Sequence, residues 1–379
     1  MKFYSWIEEE WPIKKTKIGI VGCGNISGIY LKNLTHLFTD TEIIGVCDLI
    51  PERAEKAYKE YNLPKLYKDM HELCADGEVD IVLNLTRPYE HHEVNMTAIN
   101  AGKHVYVEKP LGATLEEGIE SRDAAQKKGV LIGGAPDTFL GAGIQTCRKL
   151  LDDGYIGKPI AATGFWGYRG HESWHPDPES YYQFGGGPIL DMGPYYITAM
   201  ISLLGEVDSV NGMIRKTFET RRITSQPKYG EVFKVEVPTL VTGQMAFASG
   251  AVGTIMLTYD IHAHKLPIIE IYGTEGTLSV PDPNTFAGPA LLYRDSSKSF
   301  MEIPLTFDYT ENSRGLGVAD MARAAIEKDK PRAGVDLTFH ALEIMTGLIR
   351  SGEQNAPIEI KSGFTRPVPM KSGLLPGKV

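Results

Sequence analysis

The chain has 379 residues, 42% of them hydrophobic, and a formal net charge of −9. That length allows two domains, each with a core of its own. The acidic balance, unopposed by any basic stripe, argues against a nucleic-acid partner, and no segment reaches the apolar length of a membrane span.

Residues 1–16 read as a loose arm with Trp6, Trp11 and a run of glutamates. They lack the apolar centre of a secretory signal, so the protein reads as cytoplasmic. Cys23, Cys47, Cys74 and Cys147 form no CxxC pair and read as reduced packing residues.

The first strand is expected over 17–21, a β-branched apolar run suited to burial on both faces. Gly22, Gly24 and Ser27 follow it in the G-x-G-x-x-small spacing. Gly22 permits the tight turn out of the strand. Gly24 lets backbone amides approach a pyrophosphate, and Ser27 or Gly28 keeps the next helix close to the sheet. That helix, from Ile26 onward with Asn25 before it, points its positive end at the phosphates. A second strand over 43–47 ends in Asp48, about 20 residues beyond the glycine loop. A carboxylate there accepts from a ribose 2′-OH and repels a 2′-phosphate, which favours NAD over NADP.

Helices are expected over 52–61 and 70–74, then a strand over 81–84 that delivers Thr86, Arg87 and Pro88. A helix over 91–101 stops at Gly102. The strand over 104–107 delivers Glu108, Lys109 and Pro110. A helix over 115–128 and a strand over 130–133 follow. This alternation means a parallel sheet wrapped on both faces, with every loop named here on one edge.

The rhythm changes near Pro136. A helix over 141–151 and a strand over 160–166 precede a long Gly/Pro/aromatic segment over 167–188 with Trp174 and His175. A helix over 195–204 follows, with Asp191 read alternatively as its N-cap or as a functional carboxylate. Strands then come in succession over 207–216, 239–247, 251–259, 268–272 and 277–280, which indicates an antiparallel or mixed sheet. Helices close the chain over 318–328 and 336–351. His262 and His264 alternate along an expected strand and face a surface, so no metal site is expected.

Four stretches in this order carry a resemblance: the Gly22–Gly28 loop with Asp48, Glu108-Lys109-Pro110 after a strand, Gly185-Gly186-Gly187 leading to Asp191-Met192-Gly193, and Glu270-Ile271-Tyr272-Gly273-Thr274-Glu275-Gly276. The chain resembles the Gfo/Idh/MocA family of glucose–fructose oxidoreductase and inositol dehydrogenase. The resemblance implies an α/β protein: an N-terminal Rossmann dinucleotide-binding domain (17–135) followed by an α/β domain with a large open, mostly antiparallel sheet (136–379). The last helices are expected to pack back towards the Rossmann domain. It also implies NAD(P)-dependent oxidation or reduction of a secondary alcohol on a sugar, inositol or similar polyol, and a homodimer or homotetramer built through the second sheet.

By that resemblance Lys109 is catalytic and Asp191 sits beside the substrate. The family histidine four residues after the aspartate is Tyr195 here. Lys109 would handle the proton of the reacting hydroxyl, its ammonium pKa lowered by burial and by the nicotinamide charge. Tyr195 would position the hydroxyl or share the proton. Gly22, Gly24, Asn25, Ile26, Asp48, Thr86, Arg87, Pro88, Glu108 and Lys109 form the cofactor site, and Trp174 and His175 meet the sugar. Two alternatives stay open: redox-neutral, NAD-dependent glycoside cleavage, and a non-catalytic NAD-binding regulator.

Overall fold

The computed structural model describes residues 15–379. The expected arm lies outside them, except that Thr16 opens the first strand. The first half runs β1 (Thr16–Val21), α1 (Ser27–His36), β2 (Thr41–Cys47), α2 (Pro51–Glu60), β3 (Lys65–Leu66), α3 (Met70–Ala75), β4 (Ile81–Asn84), α4 (His91–Asn100), β5 (His104–Val107), α5 (Leu115–Lys128) and β6 (Ile132–Gly134). The strands form one sheet in the order β3-β2-β1-β4-β5-β6, and every pair is parallel. Helices on both faces explain why Ile18, Ile20, Ile81, Val82 and Leu83 are all fully buried. β3 escaped the sequence reading because two residues carry no period.

The second half runs α6 (Ala142–Asp152), β7 (Pro159–Gly167), α7 (Pro188–Asp191), α8 (Gly193–Leu204), β8 (Val207–Arg215), β9 (Thr220–Arg222), β10 (Val232–Lys234), β11 (Leu240–Phe247), β12 (Val252–Thr258), β13 (Ile269–Gly273), β14 (Gly276–Val280), β15 (Ala290–Arg294), β16 (Phe300–Ile303), α9 (Leu316–Glu327), α10 (Val335–Gln354) and β17 (Ile358–Glu359). Nine strands form a sheet in the order β16-β15-β14-β13-β7-β12-β11-β8-β17. Only β7 and β12 pair in parallel, and β9 and β10 make a separate hairpin.

Strand alternation gives this sheet two unlike faces. Ala162, Ile255, Leu257, Met245, Ile271 and Leu278 point to a buried side covered by α6, α8 and α10. Every residue of α8 is buried, as an apolar helix requires. The opposite face carries Met213 and Val252, 74% and 50% exposed, with Met256 and Phe165 in the same cross-strand row as Met213.

The last helices return to the first sheet. α10 lies so close to α5 that a Cβ on Gly118 would come within 2.6 Å of Leu342. α9 packs on β5 and β6. The buried Asp137 carboxylate accepts from the Gly315 and Gly317 amides, 2.9 and 3.0 Å away, and so pins the start of α9 below Tyr106.

Two readings of local structure are corrected. Asp191 does not cap α8: it ends the single turn of α7, and Met192 precedes α8 instead. His262 and His264 lie in the loop after β12, which ends at Thr258 when the Thr258 hydroxyl turns back to the Asp260 amide. Among the described residues no group of His, Cys, Asp and Glu could hold a metal ion.

Candidate active site

The carboxyl edge of the parallel sheet is laced together loop by loop. Gly22 N–H donates to Cys47, Leu85 to Val21, Glu108 to Asn84 and Ala135 to Val107. This brings the loops after β1, β2, β4 and β5 side by side. Gly22 has φ +99°, and a Cβ there would meet the Leu85 carbonyl carbon at 2.8 Å. A Cβ on Gly24 would meet nothing within 4 Å, so the backbone there faces open space. Ser27 is the buried small residue, its hydroxyl donating to the Gly24 carbonyl at 2.7 Å, whereas a Cβ on Gly28 would meet nothing within 4 Å. Ile26 precedes α1 and no side chain caps the helix; the Ser27 amide turns back to the Gly24 carbonyl at 3.2 Å, and the helix start is left open to a phosphate.

Asp48 closes the same edge. Its carboxylate accepts from Cys23 N–H at 2.6 Å, in the glycine loop, and from Ile50 N–H at 2.7 Å. The open glycine, the uncapped helix and the acid beside them fit a dinucleotide. The Cys23 thiol, pushed up to about 12 by burial and then by the Asp48 charge, is a packing group. All four cysteines are free and buried.

Thr86 and Arg87 follow β4. The Thr86 hydroxyl and amide both bond Asn84 Oδ1, and Arg87 donates to the Tyr89 hydroxyl at 2.6 Å. His91 is wholly buried: its Nδ1 lies 2.7 Å from the Pro110 carbonyl and its Nε2 3.1 Å from the Thr86 carbonyl. It ties the two loops that flank the cleft, a role the sequence reading missed. Glu108 accepts from Tyr30 Oη of α1 at 2.7 Å and from the Lys109 amide at 3.0 Å. It fixes the backbone from which Lys109 projects.

Lys109 reaches across to the second half. Its Nζ donates to Asp191 Oδ1 at 2.7 Å and to the Asp191 carbonyl at 2.9 Å. The two side chains are only 19% and 12% exposed. Burial alone would lower the lysine, as expected from sequence, and it is the largest single influence, but Asp191, Tyr195 and Glu108 together outweigh it and hold the ammonium above its ordinary value. For Asp191 burial works against the charge, and Lys109, followed by His171, still holds the carboxyl well below the usual range. The expected depression of Lys109 is therefore reversed in this state.

Asp191 Oδ2 has partners too. Tyr259 Oη, just past β12, donates to it at 2.9 Å, and His171 Nε2 lies 3.4 Å away. His171 comes from the long segment after β7. It stacks on Tyr181 with ring centroids 3.7 Å apart, and Trp174 and Tyr259 contact it at 5.3 and 4.9 Å. The sequence reading chose His175 instead. That ring accepts from the Asp177 amide at 3.0 Å, and its carbonyl accepts from Ser225, so it braces the turn. Gly170 (φ +73°) and Glu172 flank His171, but nothing local says which histidine turns inward. Trp174 stands 56% exposed at the rim.

Tyr195 is buried on α8. Its ring centroid lies 5.4 Å from Lys109 Nζ, while its hydroxyl neighbours the Arg314 guanidinium. Lys109, Asp191 and Tyr195 therefore meet, but it is the tyrosine ring that faces the lysine.

Comparison with known proteins bears on the family and the fold. Residues 16–134 match the model described as "Oxidoreductase family, NAD-binding Rossmann fold", and residues 144–279 match the GFO/IDH/MocA C-terminal domain. The inositol 2-dehydrogenase/D-chiro-inositol 3-dehydrogenase of Lactiplantibacillus plantarum is 27% identical over 70% of this chain and 71% of its own. The levoglucosan dehydrogenase of Pseudarthrobacter phenanthrenivorans is 27% identical over 62% of this chain and 63% of its own. A solved levoglucosan dehydrogenase in complex with NADH superposes with a TM-score of 0.80 at 20% identity, covering 92% of this chain and 100% of that one.

Proposed function

This chain belongs to the GFO/IDH/MocA oxidoreductase family, and on that premise we propose that it is an NAD-dependent dehydrogenase of a secondary alcohol on a sugar, inositol or related polyol. The observation that carries the reading is the 2.7 Å contact of Lys109 with Asp191, where the edge of the dinucleotide sheet meets the second half. NAD, when bound, supplies the two-electron exchange with the alcohol carbon.

The chain's own residues do the rest. Gly22, Gly24, Asn25 and Ile26 hold the pyrophosphate, and Asp48 takes the adenosine ribose and disfavours a 2′-phosphate. Thr86, Arg87 and Pro88 border the nicotinamide ribose, and Glu108 sets the Lys109 backbone. Lys109 exchanges the proton of the reacting hydroxyl. Asp191 orients the substrate and holds Lys109. Tyr195 floors the site with its ring, and Trp174 walls the outer side, where an aromatic face suits the apolar face of a sugar.

An NAD-reduction screen over inositols, sugars, sugar acids and their glycosides tests this. NADH formation with a free polyol or sugar is expected. Glycoside turnover without net NADH would replace the reading with redox-neutral cleavage, and NAD binding without any turnover would make the protein a regulator.

The open face of the second sheet supports a homodimer or homotetramer, since exposed Met213, Val252 and Phe300 (45%) gain from a second copy. Light scattering at micromolar concentration would contradict this by returning a monomer. The four free thiols accord with a cytoplasmic enzyme.

A further inference from the structure

We propose that His171 is a positioning residue for the Lys109–Asp191 pair: its Nε2 and the Tyr259 hydroxyl together hold Asp191 Oδ2, leaving Oδ1 to Lys109. This rests on the reading that Lys109 handles the substrate proton.

The anchoring of His171 is the first argument. Its neighbour Glu172 pairs with Arg221 and accepts from Tyr182 Oη at 2.5 Å, all three side chains being buried. Arg221 also pairs with Asp260, immediately after Tyr259. The Glu172 carbonyl takes the amides of Thr224 and Ser225 at 2.7 and 3.0 Å. One ionic knot therefore fixes both residues that touch Asp191 Oδ2. A merely space-filling imidazole would not require it.

The second argument is the ring itself. A carboxylate oxygen only accepts, so His171 must carry its hydrogen on Nε2 to approach it. Nδ1 is buried with no hydrogen-bond partner among the described residues. Nε2 is therefore the ring nitrogen that meets Asp191 Oδ2 as a donor.

The consequence falls on Lys109. As the ammonium it cannot accept the hydroxyl proton; it must first release one. Donors on Oδ2 draw carboxylate charge away from Oδ1 and loosen that grip. Glu108 and Tyr195 also hold Lys109 up, and neither is altered in the variants below. Glu108 is tied to Tyr30, and Glu172 and Asp260 are paired with Arg221. Burial pushes the hydroxyls of Tyr168, Tyr181, Tyr195 and Tyr259 up, and burial holds His175 down.

The test is the pH dependence of kcat/KM for polyol oxidation, with NAD affinity, in His171→Leu, His171→Gln and Tyr259→Phe. The rise of activity with pH should move up by roughly one unit in His171→Leu, with most of the rate recovered at high pH and NAD affinity unchanged. Tyr259→Phe should shift it the same way, and His171→Gln, which keeps an N–H donor, should largely restore the wild-type profile. A loss of equal size at every pH, or an unmoved profile, overturns the proposal. Lys109→Met run alongside separates the two readings: retained turnover there sinks the functional reading and this inference with it, whereas a dead Lys109→Met with an unmoved His171→Leu profile sinks this inference alone.

Discussion

The two sides of the cleft are built in different ways. On the dinucleotide side each group is set by a short contiguous stretch: a strand, a turn, one or two polar residues. Gly22, Asp48, Thr86 and Lys109 each follow a strand end within two residues, and parallel neighbours align those ends automatically. On the substrate side, His171, Asp191, Arg221 and Tyr259 come from a loop, the end of a one-turn helix, a hairpin strand and the end of β12. They meet through buried charge pairs, not through a repeating backbone pattern. The difference teaches that the first side is tolerant of loop changes, while the second is one cooperative unit.

The largest effect should come from the residue that belongs to both sides. Lys109→Met should lower kcat by roughly 10²–10⁴-fold in steady-state assays and leave NAD affinity nearly unchanged, because it removes proton handling and not the cofactor site.

Next is the substrate side's knot. Arg221→Met leaves Glu172 and Asp260 buried without their cation, and should cost about 3–5 kcal/mol in denaturant unfolding. A loss below about 1 kcal/mol would mean the unit is not cooperative.

That contrast also explains what could be read from sequence. The parallel sheet of the first half, its loops and the Glu108-Lys109-Pro110 motif were legible because local pattern and local geometry coincide there. The strands β9, β10, β15, β16 and β17 were not, being short or largely polar. His171 was illegible for a physical reason: its place depends on Glu172 finding Arg221, 49 positions away. Choosing His175 was a choice between two histidines in one loop, and loop sequence does not encode which faces in. Asp191 was found by motif, but its assignment as a possible cap failed because the turn of α7 ends before α8 begins.

A smaller effect concerns the joint between the halves. Burial pushes Asp137 up to about 6, against two amide bonds from Gly317 and Gly315 that lower it. Its folded value lies above the ordinary carboxylate value, so its contribution to stability is fully present below about pH 4 and is lost as pH rises through 6. The loss should be about 3 kcal/mol at most by linkage. Asp137→Asn should flatten that part of the stability–pH curve, measured by urea unfolding between about pH 4 and 7.

The smallest effect should lie on the tolerant side. Asp48→Ser should narrow the preference for NAD over NADP by roughly tenfold, or about 1.4 kcal/mol, in calorimetric titrations. Equal binding of both cofactors by the unaltered protein would remove Asp48 from the adenosine ribose.

The central claim is that Lys109 from one side and Asp191 from the other act as one group. A double-mutant cycle with Lys109→Met and Asp191→Asn, read as kcat/KM for the best polyol of the screen, tests it most directly. The account predicts that the double variant is no worse than the poorer single one. Losses that multiply would show two independent residues and contradict the account.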